Sequence, residues 1–162
     1  DELPDALKNA DVVTVAASRI KPLYIENSWL KKGSCVLLTG PAKGDDDLWL
    51  KNKIVYDHIG LHENYVAEAI ESGDKDNYYN GVIGGPIYHL IDEGKLPALK
   101  ESVSLGMMVN GDKTGRENDE DIYIFVACGM AVFDVAVSYE VYQEALKKGI
   151  GQKLLLWDTP AL

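Results

Sequence analysis

Cysteine is scarce in this 162-residue chain, which has only Cys35 and Cys128, each inside an apolar, strand-like segment. That usage suits reduced, buried thiols in a cytosolic protein rather than a disulfide framework. Basic residues are also in deficit, with 16 Lys and Arg against 26 Asp and Glu, giving a net charge of −10. Phosphate binding needs a basic face, so nucleic acid and anionic membrane are excluded as expected partners. No apolar run approaches the roughly eighteen residues of a spanning helix, and no secretory leader, internal repeat or low-complexity tract is visible. Trp29, Trp49 and Trp157 are scattered and form no stacking platform for bases.

A glycine-rich phosphate turn is missing too. Neither G-x-G-x-x-G nor G-x-G-x-x-A occurs, so the chain lacks the backbone cradle that receives a dinucleotide pyrophosphate. The run Thr39-Gly40-Pro41-Ala42-Lys43-Gly44 has neither the Walker spacing nor its Lys-Ser/Thr ending.

What is present reads as one α/β domain. Its 46% hydrophobic and 26% charged composition is ordinary for a globular protein, and its length suffices to bury about two-thirds of the unfolded surface. Residues 3–10 carry a short helical pattern, and residues 12–17 form a run of small and β-branched residues that suits a parallel strand covered on both faces. Asn27 can cap a short helix over 28–32, and Gly33 ends it. Residues 34–39 and 53–57 are further strands; the acids Asp45, Asp46 and Asp47 open a helix running to 52, where the helix dipole favours negative charge. An amphipathic helix covers 61–72, a polar turn-rich stretch 74–80, and shorter helices 87–93 and 102–109. Residues 153–157 could form a closing strand. Strands alternating with helices imply a parallel sheet, in which ligands bind at the C-terminal strand ends.

Residues 115–149 organise the rest. A charged turn leads into an apolar β-prone segment over 122–127, then through Gly129 into the longest helical pattern, with Met130, Phe133, Val137, Val141 and Ala145 near one face. Ala131, Val132, Val135 and Ala136 widen that face, so the helix is expected to be mostly buried. Lys147 and Lys148 suit its C-terminal dipole, and Gly149 supplies the stop.

In the same stretch GR-x-x-D-E-D-I, then F-x-x-x-GMA-x-x-D-x-A, then VY-x-x-A-x-x-KGIG resembles the C-terminal signature of the ornithine cyclodeaminase/μ-crystallin family of NAD(P)-binding proteins. The likeness continues more weakly back to Ala10. It implies a Rossmann-like parallel sheet with flanking helices, holding the second half of a dinucleotide-binding domain plus the C-terminal family segment. The fingerprint would lie upstream in such proteins, so its absence fits a chain completed by a second chain or by the rest of a longer product. Implied with it are NAD or NADP as cofactor, an amino acid or imine as small-molecule substrate, and a homo- or hetero-oligomer.

The resemblance also assigns positions. Ala17 matches a strand-end position lining the cofactor, and Val36, Leu37, Leu38 and Thr39 match the strand whose end approaches the nicotinamide. Ala127 falls where relatives often place a cofactor-contacting Ser, and Cys128 near substrate. For Val36, Leu37 and Leu38 a core role is the alternative. The family's catalytic aspartate lies just past a strand ending in glycine; matching Gly40 to that glycine puts Pro41 and Ala42 there. Either Asp45 substitutes, or the protein does not run that carboxylate chemistry, and the second is expected because a general base must reach its proton. No catalytic residue is therefore assigned.

Other candidates read as structural. His58 and His62, spaced i,i+4 beside Glu63, invite a metal reading, but Gly60 and the strand-to-helix junction argue against it. His89 is expected to be a core or interface histidine, Arg116 to anchor the turn before Ile122, and Asp134 to need a hydrogen-bonding partner on its apolar helix. The resemblance implies hydride exchange at the Cα–nitrogen bond, from ornithine to proline or in ketimine reduction. The polypeptide alone is expected to be inactive. The other reading is a non-catalytic NAD(P)-binding protein or subunit.

Overall fold

The computed structural model describes residues 2–17, 21–155 and 157. The chain divides into two units, Asp1–Cys128 and Gly129–Leu162. In the first, strands β1 (Val12–Val15), β2 (Leu23–Ile25), β3 (Cys35–Leu38), β4 (Ala42–Gly44), β5 (Lys53–Tyr56), β6 (Val103–Ser104) and β7 (Tyr123–Val126) are interspersed with helices. These are α1 (Leu3–Leu7), α2 (Asp46–Leu50), α3 (Ile59–Glu71), α4 (Lys75–Gly81), α5 (Gly85–Asp92) and α6 (Leu105–Val109).

Five strands form one sheet in the order β1-β3-β7-β5-β6, and every neighbouring pair is parallel. β2 and β4 make a separate two-stranded parallel ribbon. The fold class is the expected one: a Rossmann-like parallel α/β sheet with flanking helices. Strand side chains alternate between faces, and the sequence uses that alternation unevenly. Val13, Val15, Val36, Leu38, Ile124, Val126 and Tyr56 belong to the core. On the opposite face Cys35, Leu37, Tyr123 and Phe125 are half-buried and Thr14 is exposed, as is Val12 at 59%. The expectation of a first strand covered on both faces therefore holds on one face only.

Several local readings change. Residues 75–81, expected as turns, are α4, because the Asp74 carboxylate accepts the Asn77 N–H at 3.2 Å as an N-cap and Tyr79 packs edge-on against Tyr88, ring centroids 5.3 Å apart. The segment 28–32 is only a 3₁₀ turn, Asn27–Trp29. Residues 153–155 are not a strand, and residue 156 of that expected strand lies outside the described residues. Arg116 does anchor its turn, donating to the carbonyls of Asp121 (3.0 Å) and Gly33 (2.8 Å).

The second unit contains α7 (Ala131–Lys148), which begins one residue later than expected, with Met130 as an extended N-cap, and ends as expected, with Gly149 in the left-handed conformation (φ 62°). None of its residues is buried, which corrects the expectation of a mostly buried helix. Val132, Phe133, Val135, Val137 and Val141 are all more than half exposed. The apolar width was read correctly, but burial also needs a covering element, and among the described residues its own unit holds no second helix or strand. Asp134 is accordingly exposed, not a buried acid in search of a partner. No helix among the described residues is long and apolar enough to cross a membrane.

Candidate functional site

Because the strands are parallel, the chain leaves β1, β3, β5 and β7 along one edge of the sheet. Backbone hydrogen bonds knit that edge beyond the strands: Thr39 N–H to Val15 O (3.0 Å), Ala127 N–H to Leu38 O (2.9 Å) and Asp57 N–H to Val126 O (3.0 Å). The Thr39 hydroxyl also donates to Val15 O at 3.2 Å. Gly40 follows in a buried position where an added Cβ would lie 3.3 Å from the carbonyl oxygens of both Val15 and Ala17. A side chain here would be tight against both carbonyls, and glycine lets the ends of β1 and β3 approach without that crowding.

Ala17, Thr39, Ala127 and Cys128 thus come together at the strand ends. Ala17 and Thr39 are exposed, and Ala127 and Cys128 half-buried. Val36 and Leu38 do not open onto this edge: each is 1% exposed and belongs to the core. Leu37 faces the other way, into an apolar hollow of about 410 Å³ that it shares with Cys35, Val55, Met108 and Phe125. The side chains that the strands bring to this edge are small. Among the described residues this edge holds no G-x-G-x-x-G turn.

Asp45 sits elsewhere. It precedes α2, where its Oδ1 accepts the backbone N–H of Asn27 at 2.8 Å. Pro41 and Ala42 carry no ionisable group, so no carboxylate stands just past Gly40.

A second group of residues lies just beneath the edge. The Asp57 carboxylate, beyond β5, accepts from the backbone N–H groups of His58 (2.8 Å) and Cys128 (2.9 Å) and meets His62 Nε2 at 2.8 Å. His62 Nδ1 in turn lies 2.6 Å from the Tyr88 hydroxyl and 4.0 Å from Cys128 Sγ. A carboxylate only accepts, so Nε2 carries the proton and Nδ1 accepts from Tyr88. Burial pushes the His62 pKa down, opposed by the hydrogen bond and charge of Asp57. The contact is therefore a hydrogen bond of a neutral imidazole rather than an ion pair. Burial raises the Tyr88 hydroxyl, and burial followed by the charge of Asp57 pushes the Cys128 thiol up to about 12. Cys128 is thus a protonated thiol, not a ready nucleophile.

Sequence reasoning does not single out Asp57 or Tyr88, and it weighs His62 as a metal ligand only to read it as structural. The available signal was an acid closing an apolar strand, five residues before a histidine on the apolar side of the next helix. His89 is half-buried, its Nδ1 3.7 Å from Asp76, its ring edge-on to Tyr79.

The chain is similar to known proteins over nearly its whole length. The model of the ornithine cyclodeaminase/mu-crystallin family matches residues 2–149. A Delta(1)-pyrroline-2-carboxylate reductase of Bacillus thuringiensis subsp. konkukian is 29% identical over 150 residues, which are 93% of this chain and 42% of that protein. The Thermococcus litoralis Delta(1)-pyrroline-2-carboxylate reductase, solved in complex with NADH and L-proline, superposes with a TM-score of 0.68 at 23% identity, covering 95% of this chain and 43% of that one. An archaeal alanine dehydrogenase dimer with bound NAD superposes with a TM-score of 0.63 at 26% identity, covering 97% and 44%. The chain thus spans about two-fifths of the length of the proteins it matches.

Proposed function

The chain belongs to the ornithine cyclodeaminase/mu-crystallin family, and from that premise we propose that it supplies the nicotinamide side of an NAD(P) site in an amino-acid or imine oxidoreductase. The pyrophosphate side comes from residues outside this sequence, on a second chain or in a longer product, and the assembly is a cytoplasmic oligomer. One observation carries the reading: the ends of β1, β3 and β7 meet at one edge with the small residues Ala17, Thr39 and Ala127 and the closely approached Gly40.

In this reading Ala17, Thr39 and Ala127 border the cofactor, Val36, Leu37 and Leu38 contribute through the strand that carries them, and Cys128 faces substrate. The nicotinamide, when bound, supplies or accepts a hydride at the carbon of a C–N bond. What this chain supplies in this reading is a wall of small side chains at the strand ends, with no carboxylate just past Gly40. That favours redox exchange at an imine or amino acid over a deaminating cyclisation needing a strand-end carboxylate. Support comes from the relatives, among them a Delta(1)-pyrroline-2-carboxylate reductase and an alanine dehydrogenase with bound NAD.

The test is NADH binding and turnover of a cyclic imino acid by the complete assembly, beside this chain alone. Binding and oxidation of NADH only by the complete assembly is the expected result; turnover by the isolated chain, or no binding by the assembly, overturns it. A second reading, a non-catalytic NAD(P)-binding subunit, is favoured by the engagement of Asp45 with Asn27. It predicts cofactor binding without turnover.

A further inference from the structure

We infer that Asp57, His62 and Tyr88 form a buried positioning unit that fixes the main chain at Ala127 and Cys128, and with it the wall of the strand-end site. This rests on the cofactor reading above for its purpose, but not for its geometry.

The sheet ladder shows why such a unit is needed. Alternate residues of a parallel strand bond to alternate sides. On β7, Ala127 N–H turns towards β3 and reaches Leu38 O, whereas Val126 O turns towards β5 and receives Asp57 N–H. The next β7 amide on the β5 side belongs to Cys128, and it goes to Asp57 Oδ2 at 2.9 Å, a side chain in place of a carbonyl. The last residue before Gly129 is thus held by one carboxylate.

That carboxylate is itself immobilised. Its side chain is 2% exposed and that of His62 0%; Tyr88 is 1% exposed. His62 on α3 holds Oδ1, Tyr88 on α5 holds His62, and the Tyr56 ring stacks edge-on against the imidazole, centroids 4.6 Å apart. Three elements, α3, α5 and the end of β5, are therefore joined to the single backbone amide at the site. A network serving only to attach the two helices would not need its terminal bond on β7. Charge-assisted bonds to backbone N–H are among the stronger ones, and removing one partner of a buried set leaves the rest unsatisfied.

The experiment uses the complete assembly, with Asp57→Asn and Tyr88→Phe compared against Leu48→Ala, a core substitution outside the unit. Two quantities are read: hydrogen exchange at the Cys128 amide and the Kd for NADH. Asp57→Asn is expected to speed Cys128 exchange and raise Kd by about tenfold or more relative to Leu48→Ala, with Tyr88→Phe between them. If Asp57→Asn does not fold, Tyr88→Phe carries the same test. Exchange and Kd in both variants indistinguishable from Leu48→Ala overturn the positioning unit while leaving the cofactor reading intact. Failure of the unsubstituted assembly to bind NADH instead sinks the cofactor reading and the purpose assigned to the unit. The Cys128 exchange rates still decide whether Asp57 holds that amide.

Discussion

Asp57 Oδ2 lies 2.9 Å from the backbone nitrogen of Cys128, 71 residues further along the chain. The bond joins the ends of two neighbouring parallel strands after their ladder has run out, and the partners of Asp57 bear on both stability and site shape.

Acid should weaken the fold through His62. Burial lowers its pKa, with Asp57 pulling the other way, so the imidazole is neutral when folded. An unfolded chain takes up that proton near the ordinary value of about 6.5. The unfolded state then binds more protons between the folded pKa and about 6.5. The stabilising contribution is whole above that window and is lost as pH falls through it. Urea midpoints at pH 7.5 and 5.5 should drop for the natural chain and drop less for His62→Gln. Equal drops in both would dismiss His62 as the titrating group.

Tyr88→Phe should cost about 1–3 kcal/mol, because it deletes the donor to His62 Nδ1 and leaves a buried acceptor without its bond. The ring still fills its place beside Tyr79 and His62, so no large cavity accompanies the loss. Chemical denaturation at pH 7.5 measures this directly. A neutral outcome would mean that the 2.6 Å contact contributes nothing net.

The sheet was readable because its strands obey a local rule. Runs such as Ser34-Cys35-Val36-Leu37-Leu38-Thr39 and Lys53-Ile54-Val55-Tyr56-Asp57 are apolar and β-rich between breakers, and the helices between them require parallel pairing. The ribbon of β2 and β4 was not readable, since Leu23–Ile25 and Ala42–Gly44 are three residues each and pair only across a long separation. For the site, the strand ends could be placed from the pattern, and the family likeness selected Ala17, Thr39, Ala127 and Cys128. It could not distinguish Val36 and Leu38, whose side chains face the core, from residues open to a ligand. The Asp57, His62 and Tyr88 grouping depends on how α3 and α5 pack on the sheet, a tertiary fact with no fixed spacing.

Cys128 should alkylate slowly despite its place near the site edge. Burial first, and then Asp57, pushes its thiol up to about 12, against about 8.5 for a free cysteine. In a Cys35→Ser background, iodoacetamide labelling at pH 8 should run orders of magnitude slower than in the urea-unfolded chain. Its rate should still be climbing at pH 10. A plateau near pH 9 would show an ordinary, accessible thiol.

Core and helix should respond oppositely to substitution. Ile124 on β7 is 0% exposed, so Ile124→Ala removes buried methyl groups and leaves a cavity, at a loss of about 2–5 kcal/mol. Val135 and Val141 on α7 are 68% and 64% exposed, so Val135→Lys and Val141→Lys should change the stability of this chain by no more than about 0.5 kcal/mol. Denaturant melts of the isolated chain make the comparison. The same lysines should matter in the complete assembly if further residues cover α7, because a charge placed in a dry interface loses its hydration. A loss of several kcal/mol from Val141→Lys in the isolated chain would mean that the helix is already packed there, contrary to its exposure.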